Sequence, residues 1–148
     1  KSWYMFFFQL EIADLAVPTN NYSFIDRLWQ DWSPNWPEFK QYAASTIKVL
    51  SKENVLSKAL AYYRCTFQDS LQSDRINSLT EELSSKKIKV PSLYLHGEND
   101  GCIGANLSEG MENYFEDLVI KILPECGHFL HLEKHKEVNK IILNFLSS

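Results

Sequence analysis

Lys89-Val90-Pro91-Ser92-Leu93-Tyr94-Leu95-His96-Gly97-Glu98-Asn99-Asp100-Gly101 is the stretch on which the fold turns. Its short apolar run is closed by glycine and bounded by turn residues, the pattern of a strand buried in a parallel sheet. Downstream, the pattern predicts a helix over 106–115 and a second strand over 118–123, stopped by Pro124. Glu133 to Leu146 then repeats Val138, Ile141, Ile142, Phe145 and Leu146 at i, i+3, i+4, i+7 and i+8, an amphipathic helix. Strand, helix, strand, helix in succession implies an α/β fold with a parallel sheet and crossover helices. Two strands cannot cover themselves, so further strands are expected from outside these residues.

Upstream the grammar changes. Residues 1–83 are rich in aromatics and nothing there alternates like a strand. Tyr22 to Trp32 carries Phe24, Ile25, Leu28, Trp29 and Trp32 at helical spacing and stops at Ser33-Pro34. Helical stretches are also predicted over 37–50 and 51–67, the latter with Leu56, Leu60, Tyr63 and Phe67 on one stripe. Trp3 to Leu10, apolar almost all round, suits a short buried helix or a strand. The change near Ser84-Ser85 divides the chain into a helical region, 1–85, and an α/β segment, 86–148. The abrupt opening, Lys1-Ser2-Trp3, without a polar lead-in, predicts that these residues are the later part of a longer chain.

Composition narrows the function classes. The 148 residues are 45% hydrophobic and carry a net charge of −4, as ordinary globular domains do. Scattered Lys and Arg form no basic stripe, so nucleic acid is not expected as a partner. The longest apolar run, Trp3 to Phe8, is too short to span a bilayer. Cys65, Cys102 and Cys126 have no metal-site spacing and are odd in number, which suits a reducing, cytoplasmic setting with no disulfide and no metal.

The chemistry sits where the strands end. Asp100 follows the first strand in Gly97-Glu98-Asn99-Asp100-Gly101. His128 follows the second in Pro124-Glu125-Cys126-Gly127-His128-Phe129. Loops at the carboxyl ends of parallel strands are where such sheets place reacting groups. A carboxylate and an imidazole on adjacent strand ends can pair, the carboxylate orienting the ring while its other nitrogen takes a proton. Nucleophile, then acid, then histidine is the chain order of the α/β-hydrolase fold.

At these residues a family resemblance enters. Val90 to Asp100 resembles the acid-bearing strand of α/β-hydrolases. Cys126-Gly127-His128-Phe129-Leu130-His131-Leu132-Glu133-Lys134 resembles their histidine loop, with His135 where that motif usually has proline. Trp3-Tyr4-Met5-Phe6-Phe7-Phe8-Gln9-Leu10, Phe24-Ile25-Asp26-Arg27-Leu28-Trp29 and Ala61-Tyr62-Tyr63-Arg64 look like the helical cap of epoxide hydrolases. The resemblance implies a partial α/β-hydrolase fold: a cap, then the later half of the core. It also implies that Tyr4 and Tyr63 donate hydrogen bonds to an epoxide oxygen, acting as an oxyanion hole for the developing alkoxide. A carboxylate would attack the epoxide carbon to give an alkyl-enzyme ester. His128, held by Asp100, would activate the water that hydrolyses it. Met5, Phe8, Cys102 and Phe129 match pocket-lining positions, giving an apolar cleft for a small apolar substrate. The scheme needs no cofactor. His96 and His131 are expected to be structural hydrogen-bonders.

One part of that scheme is missing from these residues. The family's nucleophile sits on an elbow, G-x-D-x-G or, in esterases, G-x-S-x-G. Among five glycines, only Gly97 and Gly101 have that spacing, and Asn99 stands between them. His96-Gly97 likewise lacks the proline of the family's H-G-x-P oxyanion loop. The 148 residues are therefore expected to be inactive without the other half of the domain. A haloalkane or fluoroacetate dehalogenase, or a carboxylesterase of the same fold, is the first alternative. Dehalogenases hold a halide with Trp or Asn donors rather than two tyrosines. The second alternative is a non-catalytic binding module, which would fold cooperatively as a monomer by itself.

Overall fold

The computed structural model describes residues 1–147, apart from the side chain of Asp69. The chain divides into two compact units. One is helical and comprises Ser2–Gln30 and Pro37–Glu81; the other holds the sheet and comprises Lys1, Asp31–Trp36 and the described residues from Glu82 onward.

The helical unit runs through α1 (Trp3–Phe7), α2 (Ile12–Ala16), α3 (Thr19–Trp32), α4 (Phe39–Leu50), α5 (Val55–Phe67) and α6 (Asp74–Ser84); α3 and α6 cross the unit boundary at their C-terminal ends. The stretch Trp3–Leu10 is thus helical over Trp3–Phe7 and a turn beyond it, but only one side of it is covered: Tyr4 and Phe8 are buried, while Phe6 is 71% exposed. Regular geometry in α3 begins at Ser23, because Asn20, Asn21 and Tyr22 have φ values of 50°, 54° and 61°. Asparagine tolerates the left-handed region, whereas an aromatic residue is strained there. The Tyr22 hydroxyl donates to the Leu50 carbonyl at 3.3 Å, a bond that ties this turn to the end of α4. Asn54, also left-handed at φ 61°, breaks the predicted 51–67 stretch so that α5 starts at Val55. Val17, Ile25, Leu28, Trp29, Phe39, Ala43 and Leu60 are buried, and they supply the core of this unit.

In the other unit, β1 (Ser92–Gly97) and β2 (Leu118–Leu123) pair in parallel, with Ser92 opposite Leu118 and Gly97 opposite Leu123. The β2 bounds agree with the sequence reading, and the α/β class with a parallel pair holds. The helix expected over 106–115 does not form. Two short 3-10 turns, Ala105–Ser108 and Met111–Tyr114, replace it. Gly110 between them sits at φ 81°, a left-handed conformation that ends one turn and redirects the chain. The last helical stretch is likewise divided, into α7 (Leu130–Glu133) and α8 (His135–Leu146). Val138 of α8 joins Leu123 and Cys126 in a buried cluster, flanked by Leu95, Leu130 and Ile141. The rest of the predicted apolar stripe is only partly covered: Ile142 and Leu146 are exposed, as are Val119, Ile120 and Ile122 of β2. Among the described residues, no helix is long and apolar enough to cross a membrane.

Candidate active site

β1 ends in a tight turn that presents Asp100, and β2 ends in the loop that presents His128. Three backbone hydrogen bonds lock the two loops together. Asn99 N–H donates to the Cys126 carbonyl at 2.9 Å, while Gly101 N–H and His128 N–H donate to the single carbonyl of Trp32 at 3.0 and 3.1 Å. The 31–36 segment, read from sequence only as the end of a helix, is thus a brace for both loops. Such an approach leaves no room for side chains. A Cβ on Gly101 would collide with the Asp31 carbonyl, and one on Gly127 would lie 2.6 Å from Ser33 Cα and 2.8 Å from the Trp32 carbonyl. Gly127→Ala is therefore expected to destabilise the protein by about 1–3 kcal/mol, read as a lower midpoint in chemical denaturation.

Asp100 is 3% exposed and fully satisfied. Its Oδ1 accepts from the backbone N–H of Cys102 at 2.7 Å and of Ile103 at 2.9 Å. Its Oδ2 lies 2.9 Å from His128 Nδ1 and 3.3 Å from His96 Nε2. Burial disfavours the carboxylate, but the hydrogen bonds from His128, Ile103 and Cys102 and the imidazole charge outweigh it, and the net shift is downward. The carboxylate fixes the tautomer of neutral His128: Nδ1 carries the proton it donates, which places the ring's lone pair on Nε2. Burial pulls the ring's pKa down, yet the hydrogen bonds to Asp100 and Cys102, with their charge, carry it up to about 9. The ring is half-buried between aromatic neighbours, with the Trp32 centroid at 5.3 Å and that of Phe129 at 5.1 Å.

Several partners of this pair escaped the sequence reading. His96, expected to be a structural hydrogen-bonder, is one and also contacts the acid. Its Nε2 faces two acceptors, Asp100 Oδ2 and the Ile103 carbonyl at 3.3 Å, so Nε2 carries the proton. Nδ1 then accepts from the Tyr94 hydroxyl at 2.6 Å; burial, with the nearby Asp100 charge, raises the phenol's pKa and keeps that proton in place. Glu133 clamps the histidine loop: it accepts from Gly127 N–H at 2.8 Å, Phe129 N–H at 3.1 Å and the Ser33 hydroxyl at 2.8 Å. The i+6 and i+4 spacing of Glu133 from those amides was a weak signal in sequence; Ser33 and Trp32 gave none.

Of the other predicted residues, Cys102 and Phe129 lie beside His128. Tyr4, Phe8 and Tyr63 come together in the helical unit. Tyr4 and Tyr63 meet edge to face at 5.8 Å, and Phe8 lies 5.6 Å from Tyr4 and 5.0 Å from Tyr63. Arg64 and Gln9 fix this cluster. Arg64 donates to the carbonyls of Phe8 and Leu10 at 3.0 and 3.1 Å and pairs with Asp14 at 2.5 Å. Gln9 donates to the carbonyls of Met5 and Tyr63 at 3.0 and 3.1 Å. Together these bonds fasten α1 to α5, and with it Tyr4 to Tyr63. A groove of about 760 Å³ elsewhere along α5, lined in part by Tyr62, Cys65 and Ile76, contains none of the predicted site residues.

No family model matches the sequence. The pig bifunctional epoxide hydrolase 2 (Sus scrofa) is 32% identical over 65 residues, 44% of this chain and 12% of that protein. The mouse monoacylglycerol lipase ABHD6 is 26% identical over 88 residues, 60% of this chain and 26% of that one. A crystal structure of a Bacillus megaterium epoxide hydrolase with an inhibitor superposes with a TM-score of 0.73 at 20% identity, over 99% of this chain and 51% of that one. The chain thus spans well under two thirds of the proteins it matches. It carries part of the α/β-hydrolase fold and is similar to epoxide hydrolases in sequence and structure.

Proposed function

We propose that this chain supplies the cap and the acid–histidine half of a hydrolase that opens epoxides through an alkyl-enzyme ester. The observation that carries the reading is the Asp100–His128 pair, 2.9 Å apart at adjacent strand ends, with the partial fold and its epoxide hydrolase relatives beside it. In this scheme an Asp outside these residues attacks an epoxide carbon, and the C–O bond opens to an alkoxide. Tyr4 and Tyr63 stabilise that alkoxide and protonate it. His128 Nε2 then takes a proton from water as the hydroxide attacks the ester carbonyl. The ester bond breaks, giving the diol and the free Asp carboxylate; the imidazolium proton returns to the phenolate left by the first step, and Asp100 orients the ring throughout.

The 148 residues contain no nucleophile elbow, so by themselves they are expected not to turn over epoxides. The apolar β2 side chains left exposed are the surface that further strands would cover. Met5, Phe8, Cys102 and Phe129 would line the apolar part of the cleft, and the proposed setting is cytoplasmic. The match to a lipase supports a second reading, ester hydrolysis by a serine on the same fold. Tyr4→Phe combined with Tyr63→Phe in the complete protein separates the two. Epoxide turnover is expected to fall by at least about a hundredfold with ester turnover unaffected; undiminished epoxide turnover would remove the tyrosines from the scheme.

A further inference from the structure

We infer that Asp100, Cys102 and His128 form a binding site for a thiophilic divalent cation of the Zn2+ type. One ligand atom from each, a carboxylate oxygen, the Cys102 sulfur and a ring nitrogen, lie within 4.8 Å of one another. Zn–N and Zn–O bonds of about 2.0–2.1 Å and Zn–S bonds of about 2.3 Å, at tetrahedral angles, separate ligand atoms by roughly 3.3–3.7 Å. Closing the widest separation by up to about 1.5 Å, with the cation taking the place of the hydrogen bond between His128 and Asp100, completes three sides of a tetrahedron. The ligand set mixes thiolate, imidazole and carboxylate, which favours zinc over calcium or magnesium.

The surroundings already hold these groups as a metal site requires. Asp100 is aimed by two backbone N–H groups on Oδ1 and by His96 on Oδ2, the outer bonds that orient ligating side chains. Cys102 is buried and lies outside any disulfide. The His128 side chain is 28% exposed, so it gives the cation a path inward and leaves a fourth position for water. On binding, the thiol proton and the proton on the ligating ring nitrogen pass to the buffer, and three bonds to the metal form.

The site stands on this geometry alone. Its consequence, that a bound cation withdraws the base from service, rests on the hydrolase reading above. Cation binding is read without turnover, so failure of either idea leaves the other standing. Co2+ titrated into the protein is expected to give a thiolate-to-metal charge-transfer band that saturates at one ion per chain and is displaced by Zn2+. Cys102→Ser should abolish the band, His128→Gln should weaken Co2+ binding by at least about tenfold, and Cys65→Ser should change neither. Circular dichroism of each variant checks that it folds. Absence of the band in the parent protein, or a band unchanged in folded Cys102→Ser, would overturn the assignment.

Discussion

In the complete protein, His128→Gln is expected to lower epoxide turnover by roughly 10⁴-fold and to leave the substrate bound to the enzyme as an ester. In the proposed scheme the two half-reactions use different groups. Opening the ring needs a carboxylate nucleophile and donors at the epoxide oxygen, neither of which is His128. Hydrolysing the ester needs a base for water, and Nε2 of His128 is the nitrogen that carries the lone pair once Nδ1 donates to Asp100 at 2.9 Å. Glutamine keeps a hydrogen-bonding side chain but has no basic nitrogen, so the first step proceeds and the second stops. Mass spectrometry of the intact variant after brief exposure to an epoxide should show the protein heavier by one substrate. A slow variant with no adduct would place His128 before ester formation, and full activity would discard it as the base.

Removing the charge of Asp100 should move the titration of His128 by about 1–3 units downward. In the parent protein the ring titrates at about 9, because the carboxylate hydrogen bond and charge outweigh the burial that opposes them. Asp100→Asn keeps the shape of the side chain and loses its charge, so burial is then less opposed. Imidazole carbon shifts followed by NMR across pH 5 to 10 would report both values. The sign for stability follows from the same shift. The raised histidine pKa means the folded state holds the proton more tightly, so its contribution is fully present below the unfolded value of about 6.5. That contribution fades as pH rises through 9. The lowered Asp100 pKa works in the other sense: its contribution is present above about 3.9 and is lost as pH falls through the depressed value. The pair therefore stabilises most between about pH 4 and 6.5, and Asp100→Asn should flatten the pH dependence of the unfolding free energy on either side of that plateau, below about pH 4 and between about 6.5 and 9. As a base, the ring must be neutral, so ester hydrolysis in the parent should quicken as pH climbs toward 9.

Much of this arrangement was legible because its signals are local. The apolar run before Gly97 and that before Pro124 mark strands through the burial of successive side chains, and they place Asp100 and His128 at strand ends. Helical spacing in residues 22–32 and 37–50 is equally local, and the regular part of α3 from Ser23 and α4 from Phe39 follow it. The order of acid and histidine along the chain carried the family resemblance. Where a single backbone conformation overrides periodicity, the reading failed. Gly110 in the left-handed region turns 106–115 into two short turns, and Asn54 shortens α5; nothing in the apolar spacing of those stretches records either.

What binds the site together is of another kind. Trp32 and Ser33 reach the acid and histidine loops across 69 to 100 positions of sequence, the carbonyl of Trp32 serving two amides and Ser33 bonding Glu133. No periodicity encodes a carbonyl accepting bonds from two distant loops, or a Cys102 sulfur brought to the ring of His128. Those contacts arise only when parallel pairing of β1 with β2 sets the two loops side by side and glycine at 101 and 127 lets the brace approach. By itself the sequence determined which residues supply the carboxylate, the imidazole and the strands, because each depends on its own neighbours. Tertiary structure alone decided how Asp100 is satisfied, how far the proton affinity of His128 rises and that Cys102 joins them, because those depend on atoms the chain brings together only on folding.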